Sequence, residues 1–388
     1  MNICIFNKDY WGGIRSVSLI LADLLQNKRN SICFVSLKSE SSDYGNGSKS
    51  QYILPIFDVV CSDENIEYFA NFIIENKIDI LINQHADNWM ETQLCVKVKE
   101  LTGVKLISAL HFSPKHDIDV VNNSFFIKYK LNSIKDYILN FLLWFRWWVY
   151  KRNIVYRNLC ESLRYCYDNS DKLVLLSERH IPLVQKMLNS SSTDKLVAIN
   201  NSIIFNDLRV CDNKEKRVLW CGRLEFGVKR VDRMIGIWKR VVDRFPDWEL
   251  DVMGSGDIEF FNNLAKQQGV KNINFRGFCN PQEYYNRGAI LCMTSSTEGW
   301  GMVLVEAQAN GVVPMVYNSY VSVADIIADG ENGFLVKAFD EDDYVEKLML
   351  LMRDEELRLR MAESAMVSVR KFDSEKIAQQ WIDLFEKI

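Results

Sequence analysis

No C-x-x-C occurs among the ten cysteines of this 388-residue chain (4, 33, 61, 95, 160, 166, 211, 221, 279 and 292). None lies beside histidine at metal-ligand spacing, so a structural zinc site is excluded and several of the thiols read as buried, reduced groups inside apolar runs. No run of 18 or more apolar residues is present, which excludes an ordinary membrane span. The opening MNICIFNKDYWGG lacks a basic stretch followed by a long apolar core, which argues against a secretory signal. Prolines number only six while 48% of residues are apolar, so the composition is globular rather than disordered. Charge of one sign is also missing: 47 basic and 51 acidic residues leave a net charge of -4, with no overall field to attract nucleic acid. A cytoplasmic protein is expected, with partners chosen by local patches.

What is there is a steady alternation of strand-like and helix-like segments, the pattern of parallel sheets covered by helices on both faces. The length suggests two domains. In the first half, Asn2 to Phe6, Ser31 to Leu37, Ile78 to Asn83, Lys105 to Leu110, Lys172 to Leu176 and Leu196 to Ile199 read as strands. After a polar stretch from Asn206 to Lys216 a new series begins: Arg217 to Cys221, Trp248 to Met253, Asn272 to Phe275, Ala289 to Met293, Val312 to Tyr317 and Phe334 to Val336. Two doubly wound domains in tandem follow, 1–205 and 206–372. The remainder, 373–388, places Ile377, Ala378, Trp381, Ile382 and Phe385 at helical spacing, a helix that either crosses back to the first domain or packs on its own.

The densest chemistry is in STEGWGMVLVE, Ser296 to Glu306. Gly299 and Gly301, around Trp300, let backbone approach a ligand closely, and Met302 to Asn310 reads as a helix ended by Gly311. Its first amide N–H groups suit an anion, and Glu298 and Glu306 can each accept hydrogen bonds from paired sugar hydroxyls. Both could instead be solvated surface acids, as most glutamates are; the flanking glycines favour the site. Upstream, in CGRLEFGVKR (Cys221 to Arg230), an apolar strand runs into Gly222-Arg223, and Lys229 follows six positions after Arg223. Two cations at the carboxyl end of a strand can neutralise a diphosphate. Ordinary ion pairs with Glu225 or Asp232 are the plain alternative.

Gly-Arg-Leu, the Lys six residues after that Arg, and Glu-x7-Glu with an internal Gly-x-Gly, in this order, resemble the retaining glycosyltransferases of the GT-B group usually called family 4. The resemblance implies an α/β GT-B fold, two doubly wound Rossmann-like domains facing a central cleft. It also implies a nucleoside-diphosphate sugar as donor, with Arg223 and Lys229 on the leaving diphosphate, Glu298 on the sugar and Glu306 on the ribose. Gly254 in MGSGD, with Gly277 and Phe278 in FRGF, falls where the family surrounds the nucleotide base. No Asp-x-Asp stands at a strand end in the setting of a metal-dependent transferase, so neither metal nor other cofactor is expected.

In the first domain Gly12 and Gly13 follow the first strand and precede a helix, where a doubly wound sheet receives a phosphate, although the run is not G-x-G-x-x-G and a tight turn would also use them. His111 ends a strand in LISALHFSP, the position at which the resembling family contacts the donor sugar or positions the acceptor. Lys128 to Arg164 carries eight Lys/Arg against two acids and sets Trp144, Trp147 and Trp148 among them. That composition suits a helix lying on the inner face of the cytoplasmic membrane, or one covered by partner protein. It is similar to transferases that build bacterial surface polysaccharides such as O-antigen (lipopolysaccharide) or capsule.

The expected activity is transfer of a hexose-type sugar, with retention of configuration, to a saccharide or lipid-linked saccharide. A sugar-nucleotide epimerase on the same fold and a non-catalytic scaffold of a polysaccharide assembly complex are the alternatives.

Overall fold

In a computed structural model the described residues are 1–7, 13–28, 30–37, 50–116, 118–119, 135, 138, 141–142, 145, 152–204 and 214–388. They divide into two compact units: unit 1 is Met1–Pro114, Tyr156–Ile204 and Phe372–Ile388, and unit 2 is Lys115–Val155 and Phe205–Lys371. The division differs from the sequence boundaries in grouping 115–155 with unit 2.

Unit 1 is built on a seven-stranded parallel sheet ordered β3-β2-β1-β4-β5-β6-β7. Its strands are β1 (Asn2–Phe6), β2 (Ser31–Ser36), β3 (Ser50–Ile53), β4 (Ile80–Asn83), β5 (Lys105–Leu110), β6 (Lys172–Leu175) and β7 (Leu196–Ala198). The predicted strands fall within a residue or two of these, but β3 was not expected: SQYI is short and half polar, as an edge strand can be. The core contains Ile3, Ile5, Ile80, Ile82 and Ile107 from the strands and Ile377, Trp381, Leu384 and Phe385 from the last helix. That helix, Ser374–Phe385, is thus part of unit 1, where it packs on helix Gly13–Asn27. Asp373 opens it by accepting from the Glu375 amide.

Unit 2 repeats the plan with six parallel strands ordered β10-β9-β8-β11-β12-β13. These are β8 (Arg217–Cys221), β9 (Glu249–Met253), β10 (Ile273–Gly277), β11 (Ile290–Met293), β12 (Val313–Tyr317) and β13 (Phe334–Val336). The central strands are apolar nearly throughout because helices cover both faces, and Trp220, Trp238 and Trp248 fill the core. The strand order reverses between β8 and β11, which opens a crevice at their carboxyl ends. The two motifs occupy the loops leaving those two strands.

Gly12, Trp144, Trp147 and Trp148 lie outside the described residues. In the same basic segment Ile138, Phe141, Leu142 and Phe145 are exposed, and the rings of Phe141 and Phe145 stack at 6.3 Å. Among the described residues no helix is long and apolar enough to cross a membrane.

Candidate functional site

The loop after β8 runs beside the loop after β9: the Gly222 amide donates to the Met253 carbonyl at 3.0 Å, and the Leu224 amide to the Ser255 carbonyl at 2.8 Å. Glycine makes this approach possible. At Gly254 (φ +143°) an added Cβ would stand 1.8 Å from the Gly222 carbonyl oxygen, so no side chain fits there. Gly277 (φ +72°) continues the packing by accepting from the Gly254 amide at 2.8 Å, while the following Phe278 is 84% exposed. Gly254 and Gly277 therefore shape backbone at the strand ends, and Phe278 projects beside them as a free apolar surface.

Further along, the same loop is fastened to the one leaving β11. The Ser296 amide donates to the Val228 carbonyl at 2.7 Å, and the Thr294 hydroxyl, which accepts from Trp220 Nε1 at 3.0 Å, reaches the Arg230 carbonyl at 2.9 Å. Arg230 adopts φ +54° and folds its buried guanidinium onto Asp232 at 2.9 Å. Lys229 is thereby held from both sides, and its Nζ meets Glu298 Oε1 at 2.5 Å. The carboxylate is only 12% exposed, so the pair attracts more strongly than one on the open surface.

Arg223 does not join them. Its side chain is 69% exposed, with Glu225 at 3.8 Å, the ordinary surface pairing that the sequence left open. Of the two cations anticipated for a diphosphate, Lys229 pairs with the motif acid Glu298 and Arg223 extends into solvent.

Gly299 and Trp300 are buried, and the Gly299 carbonyl accepts from the Ser322 hydroxyl at 2.8 Å. Gly301 turns left-handed (φ +98°) to start helix Met302–Ala309, whose amino end carries no side-chain cap. No cap side chain occupies the first amides, an arrangement that suits an anion. Glu306, one turn on, accepts from the Tyr285 hydroxyl at 2.9 Å. Burial holds the Glu306 carboxyl above the ordinary carboxylate range, and the Tyr285 bond partly offsets this. Burial first, then the charge of Glu306, pushes the neighbouring Cys221 thiol up to about 12, so it is an inert neighbour rather than a nucleophile.

Sequence reasoning missed Tyr285, Thr294, Ser322 and the fold-back of Arg230, because each acts through contacts between separate loops. Among the described residues no group of His, Cys, Asp and Glu is arranged to hold a metal ion.

In unit 1, Gly13 begins helix Gly13–Asn27. His111 follows β5, and its Nε2 pairs with Gln84 Oε1 from the end of β4. Burial, followed by the nearby His85, holds His111 down to about 3, so the ring is neutral at physiological pH. It offers a hydrogen bond but no charge. His111, Gln84, Asn201, Leu176, Ile377 and Trp381 help line one small cavity.

Residues 209–367 match the family described as glycosyl transferases group 1. The whole chain superposes on Anabaena Alr3699/HepE in complex with UDP and glucose, with a TM-score of 0.77 at 13% identity over 100% of both chains. The fold is GT-B. A Haemophilus influenzae protein described as an uncharacterized glycosyltransferase is 31% identical over 214 residues, 54% of this chain and 60% of that protein. A Campylobacter jejuni GalNAc-alpha-(1->4)-GalNAc-alpha-(1->3)-diNAcBac-PP-undecaprenol alpha-1,4-N-acetyl-D-galactosaminyltransferase is 25% identical over 62% of this chain and 64% of the relative. The match thus spans less than two thirds of the length of these curated relatives. The family match covers β8 through β13 of the GT-B chain and so contains Lys229, Glu298 and Glu306.

Proposed function

We propose that this protein is a retaining glycosyltransferase that moves a hexose-type sugar from a nucleoside-diphosphate donor to a saccharide acceptor. The observation that carries the reading is the Lys229–Glu298 pair at 2.5 Å, beside the uncapped amino end of the helix that bears Glu306. Lys229 and the first amides of that helix stabilise the negative charge that grows on the diphosphate as the anomeric C–O bond breaks. Glu298 holds hydroxyls of the sugar and Glu306 those of the ribose. The acceptor oxygen bonds to the anomeric carbon on the face the diphosphate leaves, and its proton passes to a departing phosphate oxygen. Neutral His111 positions sugar or acceptor by hydrogen bonding. Side-chain cations supply the neutralisation, so activity persists in chelator.

The Campylobacter relative is named for a diphosphoundecaprenol-linked acceptor. That name supports a lipid-linked saccharide as acceptor here and a role in surface polysaccharide synthesis, lipopolysaccharide or capsule, at the inner face of the cytoplasmic membrane. The basic aromatic segment is the contact. Replacing Trp144, Trp147 and Trp148 with serine is expected to release the protein from anionic vesicles, each lost interfacial ring weakening the attraction that the lysines and arginines provide. Unchanged co-sedimentation would refute membrane contact.

The direct test is a thermal-shift screen of sugar nucleotides, starting with UDP sugars, followed by nucleotide release with acceptor. At about a hundred times Kd a ligand stabilises the folded state by about 2.7 kcal/mol. Glu306→Ala is expected to weaken donor binding about tenfold, the loss of one buried hydrogen-bonded carboxylate. No shift with any sugar nucleotide would remove the reading.

A further inference from the structure

Tyr320 follows β12, is 5% exposed, and its hydroxyl has no hydrogen-bond partner among the described residues. A buried donor left this way is costly and demands an explanation. The segment that carries it is fixed. The Ser319 hydroxyl donates to the Ser295 carbonyl at 2.9 Å and the Ser322 hydroxyl to the Gly299 carbonyl at 2.8 Å, one anchor on each side of Glu298. The phenol oxygen lies against Gly301, where an added Cβ would come within 2.6 Å of it. Burial, and then the charge of Glu298, raises the phenol well above its ordinary value, so Tyr320 remains a neutral donor.

Among the described residues Lys229, from the loop after β8, is the cation paired with Glu298, and the Tyr320 hydroxyl, from the loop after β12, lies against Gly301, three residues further along the Glu298 loop. Arg230 is occupied by Asp232, and Arg223 lies by Glu225. A diphosphate beside Lys229 competes for the one cation that Glu298 has. The carboxylate oxygen is then left without the donor that Lys229 gave it, and a second lysine there would compete for the phosphate in turn. A phenol has no charge and does not.

We propose that Tyr320 is a positioning residue whose hydroxyl donates to Glu298 while Lys229 neutralises the diphosphate of a bound sugar nucleotide. The inference rests on the transferase reading and adds to it a residue that no motif marks.

The test is Tyr320→Phe, which removes one oxygen that makes no bond in the structure, so the melting temperature should stay near that of the wild type. With the sugar nucleotide found by the thermal-shift screen, kcat is expected to fall about tenfold with little change in the donor KM. A purely structural tyrosine would lower the melting temperature without separating kcat from KM. Wild-type kcat in Tyr320→Phe would overturn the proposal while leaving the transferase reading intact. A wild-type protein that turns over no sugar nucleotide would remove both.

Discussion

Lys229→Ala is expected to lower turnover by two orders of magnitude or more at saturating donor. Removing one charge-assisted contact to a leaving group costs about 3 kcal/mol of transition-state stabilisation, and each 1.36 kcal/mol is a factor of ten in rate. The loss should appear in kcat because the charge on the diphosphate grows only as the sugar departs. Arginine is no simple substitute, since its planar fork does not fit a site that places a single ammonium 2.5 Å from Glu298. Arg223→Ala is expected to cost less, about tenfold, because this side chain is 69% exposed and has to swing inward to help. The measurement is nucleotide release under single-turnover conditions. If Lys229→Ala and Arg223→Ala both turned over at the wild-type rate, the leaving-group role would be wrong.

Gly254→Ala should have the largest effect on stability. A Cβ there would stand 1.8 Å from the Gly222 carbonyl oxygen, and φ +143° is itself unfavourable for any L side chain. Backbone rather than a flexible side chain is in the way, so the two loops must separate, breaking the Gly222-to-Met253 and Leu224-to-Ser255 bonds. Strain and lost bonds together amount to about 3 to 5 kcal/mol. In a unit of this size that is a fall of roughly 10 °C in the melting temperature. Gly227→Ala is the control, because a Cβ at Gly227 meets nothing within 4 Å. Equal melting temperatures for the two variants would show that the loops are not packed as described.

Much of the scaffold could be read from sequence because strands buried on both faces become unbroken apolar runs: Val218 to Cys221 and Ile290 to Met293 need no partner to be recognised. The glycines could be read too, since Gly301 and Gly311 bracket a short helix with the left-handed turns that only glycine enters cheaply. From these, the positions of Lys229 and Glu298 in loops at strand ends, and of Glu306 one turn into the helix, followed. What did not follow was which side chains close on one another. Arg223 and Lys229 look equivalent in CGRLEFGVKR, yet one is exposed and the other is held by Thr294 and Ser296, which arrive from a loop more than sixty residues later. Tyr285 and Tyr320 gave no local signal, because an aromatic residue after a strand or within a short helix is ordinary core material until its hydroxyl is located. Strand β3 escaped for a related reason, its SQYI sequence being too polar to stand out from a loop.

The terminal helix Ser374–Phe385 gives the chain a timetable as well as a shape. Unit 1 places Ile377, Trp381, Leu384 and Phe385 in its interior, yet they are made after all of unit 2. During synthesis the parts of unit 1 already made must therefore wait with some of their interior open while Phe205–Lys371 of unit 2 is threaded out. A nascent chain in that interval shows apolar surface on helix Gly13–Asn27 that the finished protein hides. That interval is when chaperone capture and misassembly have their opening, and it closes only once Ser374–Phe385 has emerged.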